Sequence, residues 1–159
     1  MDRLEKNRLK ELQKKLGFKF KDFDHLKRAL THRSYANENR MPNTEHNERY
    51  EFLGDAVLEL GISQVLMENF STHTEGELSK LRASVVNETQ LAAIARQLGL
   101  GEYLYLGKGE DQTGGRFKAS LLADAFEAIL GAMYLDRGWD KAFAMVKYYY
   151  EPVLSAVSQ

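Results

Sequence analysis

Three acidic residues lie on one side of a predicted helix that contains the stretch from His46 to Leu60 and continues to about Phe70. A helix turns by about 100° per residue, so Glu48, Glu51 and Asp55 form one stripe at positions i, i+3 and i+7. Like charges at these spacings repel each other by roughly 0.2–0.5 kcal/mol per pair, and Arg49 is the only lysine or arginine in the stretch. An ordinary solvated face would interleave lysine or arginine with the acids, and a bound cation is the simplest way to relieve this repulsion.

The same helix carries apolar residues beside its acidic stripe. They are Phe52, Leu53, Ala56, Val57 and Leu60. Side chains arranged in this way form the face that an amphipathic helix buries against its neighbours. The pattern therefore predicts that these residues, including Phe52, belong to the hydrophobic core.

A second pair of acids occurs on a predicted helix from Lys118 to about Leu135, which is rich in alanine and glycine. Asp124 and Glu127 lie three residues apart and therefore share one side of that helix. Small residues predict close packing against neighbouring helices, and a buried unpaired carboxylate is costly unless it takes up a proton or binds a cation. Solvated acids remain the alternative, because acidic pairs are common on helices.

The ligand types restrict which metal these acids would hold. If the two helices meet, Glu51, Asp55, Asp124 and Glu127 supply four oxygen ligands, a set that favours Mg²⁺ or Mn²⁺ over zinc. A di-iron bundle would need Glu-x-x-His on two helices, and no histidine here has a glutamate three residues before it. The glycine-rich stretch 101–115 does not match a phosphate-binding P-loop, because the glycine spacing is one residue too long.

The pattern in the rest of the chain predicts an all-α fold. Leucines at helical spacing predict a first helix from Asp2 to Leu16, and Thr74 followed by Glu77 forms a capping box that starts another. Ala36–Thr44 and Asp111–Phe117 are predicted to be loops. No convincing alternating strand pattern is present.

Composition and charge set further limits. The chain has no cysteine, which excludes a disulfide framework, and it has neither a secretory signal nor an apolar run long enough to span a membrane. We therefore expect a cytoplasmic protein with no membrane partner. Residues 1–45 carry a net charge of +5 and residues 46–159 carry −6. A basic part beside an acidic one suits a protein that contacts phosphates outside a metal-loaded cleft, although an inert surface would look the same.

Several segments resemble one known family, and they occur in its order along nearly the whole chain. The segment Asn47–Leu58, Asn-Glu-Arg-Tyr-Glu-Phe-Leu-Gly-Asp-Ala-Val-Leu, resembles the signature motif of ribonuclease III, the double-stranded-RNA endonuclease. Leu30–Tyr35 and Glu75–Ala83 resemble its flanking segments. Gly114-Gly115 followed by Leu121–Ala128 resembles its second acidic motif. The chain is thereby identified as a member of this family.

The resemblance implies a fold and a set of site residues. The fold is the all-α ribonuclease III endonuclease domain, which functions as a homodimer. The catalytic and metal-binding residues implied are Glu51, Asp55, Asp124 and Glu127, with Glu48 and Glu75 as accessory acids. Mg²⁺ is the implied cofactor, with Mn²⁺ as a possible substitute. Phe52 matches the residue that inserts into a pocket of the partner subunit, although the sequence pattern alone favours a core position for it.

The resemblance also implies an activity. It is metal-dependent hydrolysis of phosphodiester bonds in double-stranded RNA, which leaves 5′-phosphate and 3′-hydroxyl ends with short 3′ overhangs and serves rRNA and mRNA processing. We expect residues 1–159 to be the catalytic domain without the double-stranded-RNA-binding domain that follows it in typical bacterial members. A non-catalytic RNA-binding or ribosome-associated scaffold of the same fold is the main alternative, and an inert helical dimerisation module is a weaker one.

Overall fold

The computed structural model describes residues 1–157, and its regular structure is helical. The α-helices of this part of the chain are α1 Arg3–Leu16, α2 Phe23–Leu30, α3 Arg33–Glu38, α4 Glu48–Asn69, α5 Glu75–Val85, α6 Glu88–Gln97, α7 Lys108–Gln112, α8 Ala119–Arg137 and α9 Trp139–Val157. Two short 3₁₀ turns lie at Leu100–Tyr103 and Gly115–Phe117. The predicted all-α class is confirmed, and no helix in the described residues is long and apolar enough to cross a membrane.

Local capping signals in the sequence define several helix ends. The Asp2 side chain accepts a hydrogen bond from the backbone of Glu5 at the start of α1, and Gly17 ends that helix with a left-handed φ of 75°. The predicted capping box at the start of α5 is present, because Thr74 and Glu77 bond each other's backbone reciprocally.

Two segments that were predicted to be loops contain helical turns. Ala36–Thr44 begins within α3, which starts where the His32 ring accepts a hydrogen bond from the backbone of Ser34. Asp111–Phe117 overlaps α7 and the second 3₁₀ turn, where Arg116 pairs with Asp111 at 2.8 Å and also donates to two backbone carbonyls. The first loop prediction is confirmed for 39–44 and wrong only for 36–38, and the second is wrong where α7 and the 3₁₀ turn enter it. Helices this short have no room to display an apolar repeat.

The core is built around α8, which packs against α2, α4, α6 and α9. Its contact with α4 is close because Gly54 of α4 faces the backbone carbonyl of Glu127, and Gly131 of α8 faces that of Tyr50. A methyl group at either glycine would collide with the opposite backbone. The predicted close packing of the small-residue helix is confirmed, and it brings the two acidic helices together.

The buried face of α4 differs from the predicted one. Phe52 is 83% exposed and Leu60 is 57% exposed, and Ala56 is also exposed, whereas Val57 is buried and Leu53 is partly buried. The helix instead buries a stripe that contains its glycines, because these allow the closest approach to α8. That stripe consists of Tyr50, Gly54, Val57, Leu58, Gly61, Ile62, Val65 and Leu66.

Candidate active site

The four predicted acidic residues meet where α4 and α8 cross. Glu51 and Asp55 lie one turn apart on α4, and Asp124 and Glu127 lie one turn apart on α8. Gly54 lies between the two acids of α4 and is in contact with the backbone of Glu127. The glycine contact therefore determines how closely the two acid pairs approach.

The carboxyl groups form pairs between the helices. Glu51, Asp124 and Glu127 each offer an oxygen, and these three oxygens lie within 4.8 Å of one another. Glu51 shares a hydrogen bond with Asp124, and Glu127 shares one with Asp55. A carboxyl group donates a hydrogen bond to another carboxyl group only when it carries a proton.

Burial and mutual repulsion perturb the acidity of the cluster. Burial raises the pKa of Glu127 to about 8, and the hydrogen bond and charge of Asp55 add to that increase. Burial raises the pKa of Glu51 to about 7, followed in size by the charge of Asp124. Burial also raises the pKa of Asp124, although its hydrogen bond with Glu51 acts in the opposite direction. The site therefore retains protons near neutral pH and would release them to a divalent cation.

A cavity of about 260 Å³ lies next to the cluster. Asp55, Asp124 and Glu127 line it together with residues of α4, α6 and α8, namely Glu59, Glu88, Leu91 and Ala123, and with Val86 and Asn87 before α6. Carboxylate oxygens are hard ligands, and Mg²⁺ and Mn²⁺ are the ions that such ligands suit. The three converging oxygens and the adjoining space therefore fit a hard divalent cation.

The two accessory acids occupy different surroundings. Glu48 is exposed and pairs with Arg33 at 3.7 Å and with the His46 ring at 3.2 Å. Glu48 therefore has a cation nearby that its own helix does not supply, because Arg33 belongs to α3. Glu75 lies in the exposed first turn of α5 and accepts a hydrogen bond from the Ser79 hydroxyl at 2.8 Å. The structure brings Glu48 within electrostatic reach of Glu51, whereas the hydrogen bond of Glu75 is local.

Two residues near the cluster have no site role in the sequence analysis. Glu88, the first residue of α6, lines the cavity, and its charge raises the pKa of Asp124. Burial is the main effect on the His32 ring and lowers its pKa, whereas the charge of Asp124 acts in the opposite direction. The sequence signals at these positions indicate only helix starts, because Asn87 and His32 are N-caps. Local signals of this kind do not reveal which distant residues a helix end approaches.

Comparison with known proteins identifies the family. A sequence model described as "Ribonuclease-III-like" matches residues 22–153, a range that includes both acidic helices. The chain belongs to the ribonuclease III family.

Curated ribonuclease III relatives are similar over most of this chain. Ribonuclease 3 of Syntrophobacter fumaroxidans is 55% identical over 139 residues, which cover 87% of this chain and 57% of the relative. Ribonuclease 3 of Pelotomaculum thermopropionicum is 51% identical over 151 residues, covering 95% and 63%. The chain thus spans less than two thirds of the length of these relatives.

Two solved structures have folds similar to that of this chain. The nuclease domain of ribonuclease III from Campylobacter jejuni has a TM-score of 0.84 at 41% identity, covering 91% of this chain and 96% of that one. Dicer from Pichia stipitis has a TM-score of 0.67 at 29% identity, covering 88% and 59%. The match to the Campylobacter jejuni nuclease domain therefore covers nearly all of both chains.

Proposed function

We propose that this chain is a divalent-metal-dependent endonuclease domain that hydrolyses phosphodiester bonds of double-stranded RNA. The observation that carries the proposal is the cluster of Glu51, Asp55, Asp124 and Glu127 where α4 and α8 cross, in a chain of the ribonuclease III family. The products expected are 5′-phosphate and 3′-hydroxyl ends. A role in rRNA and mRNA processing in the cytoplasm belongs to the same proposal.

Glu51, Asp124 and Glu127 would hold Mg²⁺, or Mn²⁺ in its place, with Asp55 beside Glu127. When bound, the ion supplies Lewis-acid stabilisation of the phosphate and a water of lowered pKa. Burial of Glu127 and partial burial of Glu51 and Asp124 reduce competition from bulk water and strengthen the interaction of these carboxylates with a cation. Binding releases the protons that the cluster retains, so affinity for the cation rises with pH.

We further propose that the domain acts as a homodimer through the exposed side of α4. Phe52, Ala56, Leu60 and Met67 are exposed at helical spacing on this side. Phe52 also borders a cavity of about 620 Å³, whose other lining residues are Tyr50, Leu53 and Leu135 and the charged residues Arg28, Glu48 and Arg49. An aromatic knob and a pocket on the same face are the elements of a self-complementary two-fold interface.

Two further considerations support this dimer. The Campylobacter jejuni nuclease domain has structural flexibility in a region that is involved in dimer formation. A two-fold dimer also presents two acidic sites, which allows cuts in both strands of a duplex and yields short 3′ overhangs. Recognition of the duplex is expected to depend on the shape of A-form RNA and its 2′-hydroxyl groups rather than on its sequence.

The test is digestion of a long RNA duplex at low salt, with Mg²⁺ or with a chelator, by the parent chain and by Glu127→Gln. We expect cutting by the parent in Mg²⁺ only, and a loss of at least about 100-fold in Glu127→Gln, because a ligand of the metal is removed. Glu68→Gln, which changes an exposed acid at the far end of α4, is the control and should cut like the parent.

The outcomes separate the proposal from its alternative. Cutting by Glu127→Gln at the parental rate, or cutting in the chelator, would contradict a metal-dependent site at this cluster. A parent chain that binds the duplex without cutting it in Mg²⁺ would favour the RNA-binding scaffold instead.

A further inference from the structure

The buried histidine before α4 bonds a single residue with both of its ring nitrogens. The backbone N–H of Glu48 donates a hydrogen bond to Nδ1 of His46 at 3.3 Å, and Nε2 of the same ring lies 3.2 Å from Oε2 of the Glu48 side chain. Because Nδ1 accepts a hydrogen bond, the ring carries its proton on Nε2 and donates it to the carboxylate. His46 therefore contacts both the main chain and the side chain of Glu48.

The position of the His46 ring is fixed independently of Glu48. The residue is buried, and the neighbouring Asn47 is tied to the end of α2 by two hydrogen bonds. Its backbone N–H donates to the carbonyl of Thr31 at 2.8 Å, and its side-chain amide donates to the carbonyl of Ala29 at 3.1 Å. These bonds hold the segment before α4 against α2, so the ring is a fixed point from which Glu48 can be oriented.

Helix capping explains only one of the two ring contacts. Within the part of the chain that the structure describes, the side chain of Asn47 makes no cap bond to α4. Nδ1 of His46 instead accepts from the first N–H of this helix. A cap requires only an acceptor for such an N–H, so the contact through Nε2 has no capping role and acts on the Glu48 carboxylate alone.

The Glu48 carboxylate lies between His46 and an exposed arginine. Nη1 of Arg33 approaches the other carboxylate oxygen, Oε1, at 3.7 Å. An ion pair with an exposed side chain is weak, because solvent competes for both partners, so the buried His46 ring is the contact that determines the orientation. Glu48 lies one turn from Glu51 on the acidic stripe of α4. The orientation of its carboxylate therefore matters for the edge of the acidic cluster.

We propose that His46 is a positioning residue that fixes the Glu48 carboxylate beside Glu51 and thereby supports cutting of RNA through Glu48. This inference rests on the proposed nuclease function, with Glu48 as an accessory acid of its site. The contact between α4 and α8 at Gly54 brings the four carboxylates of the cluster together. Loss of the bond from His46 should therefore leave those four in place and release only Glu48.

The experiment compares two substitutions that each keep one of the two ring contacts. His46→Gln retains a side-chain N–H near the position of Nε2, whereas His46→Asn retains an acceptor near the position of Nδ1 and has no donor that reaches the carboxylate. We expect His46→Asn to cut duplex RNA in Mg²⁺ roughly tenfold more slowly than the parent, because misplacing a group of the site by about 1 Å can cost up to about 100-fold. His46→Gln should cut at close to the parental rate, as should the control His73→Asn, which changes an exposed histidine after α4.

A Glu48→Gln background separates positioning from a general effect on the fold. In this background His46→Asn should cause no further loss, because the carboxylate that His46 orients is already absent. An equal loss in both backgrounds, or parental cutting by a folded His46→Asn protein, would overturn the inference. A parent that does not cut in Mg²⁺ would contradict the proposed function itself, and this inference with it.

A second measurement does not depend on cutting. In protein labelled with ¹⁵N at the histidine rings, His46 should carry its proton on Nε2 and have an unprotonated Nδ1. Glu48→Gln should shift the Nε2 resonance of His46, because a neutral amide is a weaker acceptor than a carboxylate, whereas the resonances of His73 should stay unchanged. A proton on Nδ1, or an Nε2 resonance that does not respond to Glu48→Gln, would rule out the proposed contact even if His46→Asn failed to fold.

Discussion

Glu127 is an acid with only 8% of its surface exposed, and it shares a hydrogen bond with a second acid, Asp55. The folded protein therefore holds a proton that an unfolded chain would release near pH 4.5. Glu51 behaves in the same way at a pKa of about 7. At the scale of single residues, the raised pKa values of these two acids lower the free energy of unfolding near neutral pH.

The first prediction is that the metal-free protein loses stability as pH rises from 5 to 8. The pKa values of Glu127 and Glu51 are raised in the folded state, so this state binds more protons than the unfolded state above about pH 4.5. The free energy of unfolding should fall through pH 7 and 8 by at most about 1.4 kcal/mol per pH unit for each proton. Urea titrations at pH 5, 6.5 and 8 in the presence of a chelator measure this free energy of unfolding.

Glu127→Gln tests the origin of that slope. Glutamine does not titrate, so this variant should have a flatter profile and should be more stable than the parent at pH 8. Glu68→Gln, at an exposed position of α4, should keep the parental slope. Identical slopes in the parent and in Glu127→Gln would show that this carboxyl does not retain its proton.

At the scale of elements, the contact between α4 and α8 decides the geometry of the site. The two helices meet backbone to backbone at Gly54 and Gly131, where neither position has space for a methyl group. Each helix carries its two acids about one turn apart, so the spacing within a helix is fixed by helix geometry. The spacing between the helices depends on the glycines, which link the stability of the core to the site.

The second prediction concerns Gly54→Ala. The added methyl group would meet the carbonyl oxygen of Glu127, so we expect the free energy of unfolding to drop by about 1–3 kcal/mol or more. The affinity for Mg²⁺ should drop too, because the helices must move apart. Gly76→Ala is the control, since a methyl group at this position of α5 meets open space. This substitution should raise the free energy of unfolding by about 0.5–1 kcal/mol. Equal urea midpoints for the two variants would contradict the close contact.

At the scale of the whole molecule, the exposed side of α4 is the feature that a single chain leaves unexplained. Phe52 is 83% exposed although it lies one residue from the catalytic candidate Glu51. Burying one large apolar side chain is worth about 1.5–3 kcal/mol, and a two-fold interface would bury it twice. The proposed dimer would thus connect the stability of the assembly to the placement of both sites.

The third prediction is that Phe52→Lys dissociates the dimer. A lysine loses the burial of the ring and adds a charge that the interface would desolvate. The molar mass in sedimentation equilibrium should therefore halve while the helical circular-dichroism signal is retained. Leu4→Lys changes an equally exposed apolar residue on α1 and should leave the mass unchanged. A dimer that persists in Phe52→Lys would place the interface elsewhere.

Much of the fold and of the candidate site follows from the sequence alone. Repeats of about 3.6 residues predict the first helix, and the capping box at Thr74 predicts the start of another, because these signals act within a few residues of one another. The four acids were also identified by their spacing and by resemblance to the family. Their catalytic role stays a prediction, although the structure brings them together.

The tertiary structure alone decided which stripe of α4 is buried and which acids pair. Helix periodicity determines which side chains share a stripe, but it does not determine which stripe faces a neighbour. Here the closest approach is at Gly54, a residue without a side chain, so Phe52 and Leu60 remain exposed although their apolar character predicted burial. The pairing of Glu51 with Asp124 joins residues far apart in the chain, and only packing between helices brings such residues together.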